Sequence, residues 1–228
     1  MSELRFTVLE MAPEPYAVAP NLLARLRIEE LSGELVHAMA LRAQVRIEPR
    51  RRRYDDLEEQ GLTDLFGTRE RWAATMQSFC WMHATAMVPG FIGSTEVSLV
   101  LPCSYDVEVA GAKYLQSLAD GEIPLTLLFS GTLFTRRKAC PHCQAIGSTG
   151  FAVEQIPWQH EASYRLPVEV WRRVMAEHFP GQGWIRVDQE TLAALARYRS
   201  SRLHTSWEEA LSALLAAAGT GPAGTVAR

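Results

Sequence analysis

The sequence predicts an α+β protein: mainly an antiparallel β-sandwich or curved sheet, followed by a C-terminal helical segment. Two observations carry that class. Most of the first 165 residues alternate apolar and polar side chains with period two, without long helices between the runs. After Pro167 the apolar period changes to that of a helix. Composition agrees with a globular chain: of 228 residues, 47% are hydrophobic and 21% charged. That excludes a disordered, collagenous or coiled-coil chain. A net charge of −3 argues against a nucleic-acid binder.

In chain order, Leu22, Ala24, Leu26 and Ile28 share one face and Arg25, Arg27 and Glu29 the other, the pattern of a strand with one buried side. Ser32-Gly33 is a turn signal. Leu41, Ala43, Val45 and Ile47 then alternate with Arg42, Gln44, Arg46 and Glu48, so the two runs predict a hairpin. Leu57, Leu62, Leu65 and Phe66 fit a short helix interrupted at Gly61. From Thr75 to Val88 both faces carry large apolar groups, with Met76, Cys80, Met82, Ala84, Ala86 and Val88 on one and Phe79 and Trp81 on the other. This reads as a central strand ended by Pro89-Gly90. Ser94–Leu101 and Asp106–Val109 are further strands, Ala110–Leu118 a short helix, and Pro124–Phe134 and Phe151–Leu166 extended segments. Pro157 marks the last of these as an edge, since proline cannot donate to a central ladder.

Pro167 stands at a helix start, and Val170, Trp171, Val174, Met175 and His178 recur at helical spacing. Asp188 caps a second helix, and Ser206-Trp207-Glu208-Glu209 reads as a capping box for a third. The expected organisation is a β-rich domain at 1–165 with a hairpin tip at 136–150. Helices at 166–218 would dock on the sheet, and a disordered tail would follow at 219–228. The first residues show no basic region leading into an apolar one, and no apolar stretch reaches about 18 residues. The expected location is cytoplasmic, without a membrane span, where cysteines stay reduced or bind metal.

Cys140-Pro141-His142-Cys143 is the sharpest local motif. Cysteines at this spacing can bind one metal ion or form a redox dithiol, or the pair can be inert. Cys140, Cys143 and His142 are the candidate ligands, with zinc or iron as the cofactor if there is one. A closed zinc site needs four ligands, and His142 lies between the thiols, where its ring points away. His160 is roughly 30 Å down a regular return strand at about 3.3 Å per residue. A metal shared between two tips would make the protein a homodimer. Cys80 and Cys103 read as buried single thiols.

Arg50, Arg51, Arg52 and Arg53 form an unbroken run. They could bind an acidic partner or a phosphate group. The alternative is a solvated strand end neutralised by Asp55, Asp56, Glu58 and Glu59, and the closeness of those acids favours it. Of the six tryptophans, Trp158 on the predicted edge strand is the candidate docking residue; the others read as packing. No nucleophile elbow, phosphate-binding loop, dinucleotide fingerprint or zinc-protease motif is present, so no residue is assigned a catalytic role and a non-enzyme is expected.

Several segments together resemble an uncharacterised bacterial family, the DUF6084 type. They include Val45-Arg46-Ile47-Glu48-Pro49 with the arginine run, Phe91-Ile92-Gly93-Ser94-Thr95, Pro102-Cys103-Ser104-Tyr105-Asp106, Phe129–Phe134, Gln155-Ile156-Pro157-Trp158 and Arg165-Leu166-Pro167-Val168. The similarity runs from about Phe6 to Leu215. Its members are often encoded beside nickel-iron (NiFe) hydrogenase genes. The resemblance implies an accessory or assembly protein without catalysis, whose partners are hydrogenase subunits or maturation factors. It supplies no site residues, and the cysteine pair looks like a local elaboration. The alternative function is a small metal-binding or thiol redox module acting through Cys140 and Cys143.

Overall fold

A computed structural model describes residues 3–104, 106, 109–136, 151–181 and 185–219, with residue 136 as backbone only. The expected tip at 136–150, with its cysteine pair, and the expected tail at 219–228 lie almost wholly outside these residues. The described strands are β1 (Leu4–Pro13), β2 (Asn21–Glu30), β3 (Val36–Ile47), β4 (Phe79–Phe91), β5 (Ser94–Pro102), β6 (Glu122–Arg136) and β7 (Phe151–Pro167). The helices are α1 (Asp56–Phe66), α2 (Trp72–Thr75), α3 (Ala110–Gln116), α4 (Val168–His178), α5 (Gln189–Ser201) and α6 (Trp207–Ala217). The expected α+β class with antiparallel sheets is the one observed.

The strands form two antiparallel sheets, one of order β1-β2-β5 and one of order β4-β3-β6-β7. Their inner faces share one core. Leu22, Ala24, Leu26 and Ile28 of β2 and Met39, Leu41, Ala43, Val45 and Ile47 of β3 are all fully buried, as the period-two reading requires. Phe6 of β1 stacks on Phe129 of β6 at 4.5 Å between ring centroids, joining the sheets. Tyr164 extends from β7 to take the Met11 amide on its hydroxyl at 3.1 Å.

The predicted β2–β3 hairpin is not formed. β2 pairs with β1 and β5, and β3 with β4 and β6, so the Ser32-Gly33 turn carries the chain from one sheet to the other. Alternation reveals a buried face but not the partner strand. The arch is built on Glu30, which is only 3% exposed. Its carboxylate accepts from the Ser32 hydroxyl, the Ser32 amide at 3.1 Å and the Glu34 amide at 2.8 Å. Burial acts to raise the Glu30 carboxyl, but these hydrogen bonds outweigh it and hold the group below the ordinary glutamate value.

β4 is an edge strand, not a central one. A bulge explains the double-faced pattern: Val45 pairs with Met82 but Arg46 with Cys80, leaving Trp81 as an extra residue. The bulge flips the alternation, so Phe79 enters the core on the same side as Met82 and Ala84. Trp81 lies against Gly111 of α3, where a Cβ would come within 2.7 Å of the indole. The strand also runs through Pro89-Gly90 to Phe91, which an edge tolerates. Asp106 and Val109, the expected ends of a strand, are not in one, and the Val109 amide donates to the Asp106 carbonyl at 3.0 Å. Gly61 does not interrupt α1; it lets Ser117 approach, where a Cβ would meet the Ser117 side chain at 2.9 Å.

In α4, Val168, Trp171, Val174 and Met175 are buried. Pro167 caps this helix from just outside it. His178 reaches back to the Ala17 carbonyl at 3.1 Å. The chain divides into two compact units, with the boundary between residues 184 and 185. The second holds α5 and α6. Asp188 caps α5 through the Thr191 amide at 2.7 Å. Ser206 caps α6 through the Glu209 amide, and the Glu209 carboxylate in return accepts from the Thr205 amide and hydroxyl. No helix among the described residues is long and apolar enough to cross a membrane.

The folded-state carboxyl of Glu30 titrates lower than the unfolded one, so its contribution exists above the ordinary value of 4.5 and disappears as pH falls through the lowered folded value. Glu30→Gln is expected to cost about 1–2 kcal/mol at neutral pH. Urea denaturation at pH 7 and about pH 3 should show this gap closing in acid; a gap independent of pH would contradict the arch.

Candidate functional site

The arginine run lies where the core strand β3 ends. Buried Pro49 begins a short 3-10 turn, Pro49–Arg51, after which Arg52 is extended at φ −133° and ψ 167°. In an extended segment alternate side chains point to opposite sides. Arg52 turns inward and Arg51 and Arg53 turn out.

Arg52 donates to the Glu58 carboxylate at 2.6 Å, with the two side chains 8% and 3% exposed. Glu58 also accepts from the Ala119 amide at 2.8 Å, in the connection from α3 to β6. It reaches back to the Asp55 amide and completes the capping box of α1. Arg52 makes longer bonds to the carbonyls of Asp120 and Glu122. Arg50 donates to the carbonyls of Met76 at 2.6 Å and of Ala73, tying the turn to the end of α2. Tyr54 donates to the Pro49 carbonyl at 2.7 Å and sits 2.8 Å from the Tyr114 hydroxyl. Each hydroxyl has one proton, so Tyr114 donates to Tyr54. Burial pushes the Tyr114 phenol up to about 12. Burial, followed by the charge and hydrogen bond of Tyr114, raises Tyr54 further. Both phenols are neutral hydrogen-bonding posts.

Three of the four acids expected to neutralise the run are already engaged. Asp55 accepts from the Leu57 and Glu58 amides, Glu58 holds Arg52, and Glu59 pairs with Arg69 at 2.8 Å. Asp56 occupies the first turn of α1, where the helix dipole favours it. The guanidinium groups of Arg51 and Arg53 have no partner among the described residues. They open with Arg50 onto a cleft of about 600 Å³ whose other walls are Asp120, Glu122 and Arg165. Arg165, at the far end of β7, pairs with Glu122 at 3.5 Å. Only the sheet register brings it here, so no spacing in the sequence could announce it.

Trp158 lies in a different place. β7 is an edge of the four-stranded sheet. Phe129 faces His160 and Gly131 faces Ile156, so Pro157, Trp158 and Gln159 stand opposite Ser130 alone. Trp158 is 80% exposed on this bulge. Beside it the outer sheet face carries two cross-strand rows, Met87-Ala40-Thr132-Gln155 and Pro89-Ala38-Phe134-Val153. Met87, Val153 and Phe151 are each more than half exposed. Gly131 makes this face possible: it has φ +151°, and a Cβ there would lie 2.1 Å from the Ala40 carbonyl. The apolar second side of β4 did not announce this face, because Phe79 and Trp81 pack against the core and α3. The outer face of the other sheet is instead crossed by ion pairs, Arg5–Glu29, Arg25–Glu10 and Arg27–Glu96.

Cys140, His142 and Cys143 lie outside the described residues. Among the described residues no group of three or more His, Cys, Asp or Glu side chains is gathered to hold a metal ion. Cys80 is exposed, not buried as read from its strand, because the bulge at Trp81 turns it away from the core. Its thiol lies 3.9 Å from His83 Nδ1. Cys103 is buried, and burial pushes its thiol up to about 12, which makes it inert at neutral pH.

The accounting of the arginines has a direct consequence for stability. Arg52→Gln strands the buried Glu58 and is expected to cost about 3–5 kcal/mol. Arg51→Gln with Arg53→Gln should change stability by no more than about 0.5 kcal/mol. Urea denaturation checks both; equal losses would contradict the division between a buried Arg52 and an outward Arg51 and Arg53.

No curated protein matches the chain. One family model matches residues 1–223. The chain therefore belongs to a family of unknown function, DUF6084.

Proposed function

We propose that the protein is a non-enzymatic accessory factor that docks on a protein partner through the outer face of its four-stranded sheet. One observation carries the reading. The two outer sheet faces differ: one carries three ion pairs beside a single apolar row, Ala12-Leu23-Val100, and the other leaves Met87, Phe151, Val153 and Trp158 in water. Exposed apolar side chains gathered on one face mark an interaction surface, and an exposed tryptophan is a typical anchor for one. The bulge at Pro157–Gln159 interrupts the β7 edge, which disfavours strand addition there. Contact through the face is the alternative, so the partner surface is apolar and side-chain mediated.

The family resemblance supplies the expected partner, the subunits or maturation factors of a nickel-iron hydrogenase, and the expected role, assembly. A cytoplasmic location fits that role.

The test is a pull-down from cells expressing the hydrogenase, with wild type and a Trp158→Ala, Met87→Asp variant. The reading expects the subunits to co-purify with wild type and recovery to fall at least about tenfold with the variant, since an anchor residue is worth about 2 kcal/mol or more. Circular dichroism should show both proteins equally folded. Equal recovery, or light scattering that shows the face consumed by self-association, would overturn it.

A further inference from the structure

We infer that the arginine cleft at the end of β3 is a binding site for a small molecule carrying a phosphate or diphosphate group. It lies on another part of the molecule from the docking face and does not depend on it.

Charge points to a dianion. The cleft is lined by five arginines and by Asp120 and Glu122. Arg52 is balanced by the buried Glu58, and Arg165 by Glu122. That leaves Arg50, Arg51 and Arg53 against Asp120, an excess of two positive charges. Arg50 spends its Nε and one Nη on the backbone of Ala73 and Met76. Among the described residues no acceptor takes the guanidinium donors of Arg51 or Arg53.

Geometry points to a tetrahedral group. Arg51 and Arg53 flank the extended Arg52, are both exposed and both line the cleft, about 6.6 Å apart at their backbone. A single guanidinium fork uses both oxygens of a carboxylate. A phosphate has further oxygens on other edges of its tetrahedron, so two forks can grip one group.

Rigidity makes this a site rather than a loose patch. Arg50 and Arg52 fix the backbone on both sides of Arg51 through Met76 and Glu58, and Tyr54 fixes Pro49. A fixed backbone lowers the ordering cost on binding.

Isothermal titration of the full chain with pyrophosphate and with inorganic phosphate, at constant ionic strength, tests the inference. Saturable one-to-one binding of pyrophosphate is expected. Arg51→Gln with Arg53→Gln should weaken it at least about tenfold, while Arg25→Gln, on the outer face of the other sheet, should leave it unchanged. The inference is overturned by absence of saturable heat or by equal affinity in the Arg51, Arg53 variant. It is also overturned if an oligoglutamate peptide binds through these arginines more tightly than pyrophosphate.

Discussion

Arg52 and Glu58 meet at 2.6 Å with both side chains withdrawn from water, and much of the first unit is arranged around that contact. Six residues of sequence separate them, yet the pair joins three parts of the fold. Glu58 closes the N-terminal cap of α1, takes the Ala119 amide, and so fixes where the chain leaves α3 for β6. Arg52 completes the same connection through the carbonyls of Asp120 and Glu122. A buried pair earns its place only when its remaining hydrogen-bonding positions are filled, and here backbone groups fill them. Above the pair, Tyr54 and Tyr114 link Pro49 to α3, with Phe66 and Phe79 packed against Tyr114. Helices α1 and α3 thereby close one end of the sandwich.

The same contact decides what is left for function. By drawing one arginine inward it sets the direction of its two neighbours, and by using Glu58 it removes the strongest local counter-charge. A four-residue run of one sign thus becomes a structural half, Arg50 and Arg52, and an outward half, Arg51 and Arg53. On the far side of the molecule a similar economy governs the sheets. Both inner faces go to one core; the outer face of one sheet carries three ion pairs, and the other carries the two rows that include Met87 and Phe134.

Much of the fold was legible in the sequence because burial imposes a period. β2, β3 and α4 each follow their predicted faces, and Pro157 marked an edge strand correctly. Pairing was less legible: a Gly turn between two alternating runs serves an arch as well as a hairpin, and only the buried Glu30 distinguishes them. A bulge was invisible too, since one inserted residue at Trp81 makes an edge strand look apolar on both sides. The candidate site was legible in part. The arginine run and Trp158 stood out as residue types, but which arginines are free depends on the hydrogen bonds of Asp55, Glu58 and Glu59. Arg165 and the rows beside Met87 depend on register between strands distant in sequence.

The account rests on the Arg52–Glu58 contact being a strong, specific coupling rather than a chance proximity. A double-mutant cycle with Arg52→Met, Glu58→Leu and the pair together, read by urea denaturation, measures it directly. The predicted result is a coupling of at least about 2 kcal/mol, with the double variant far more stable than the summed single losses imply. Additive losses, with a coupling near zero, would contradict the account.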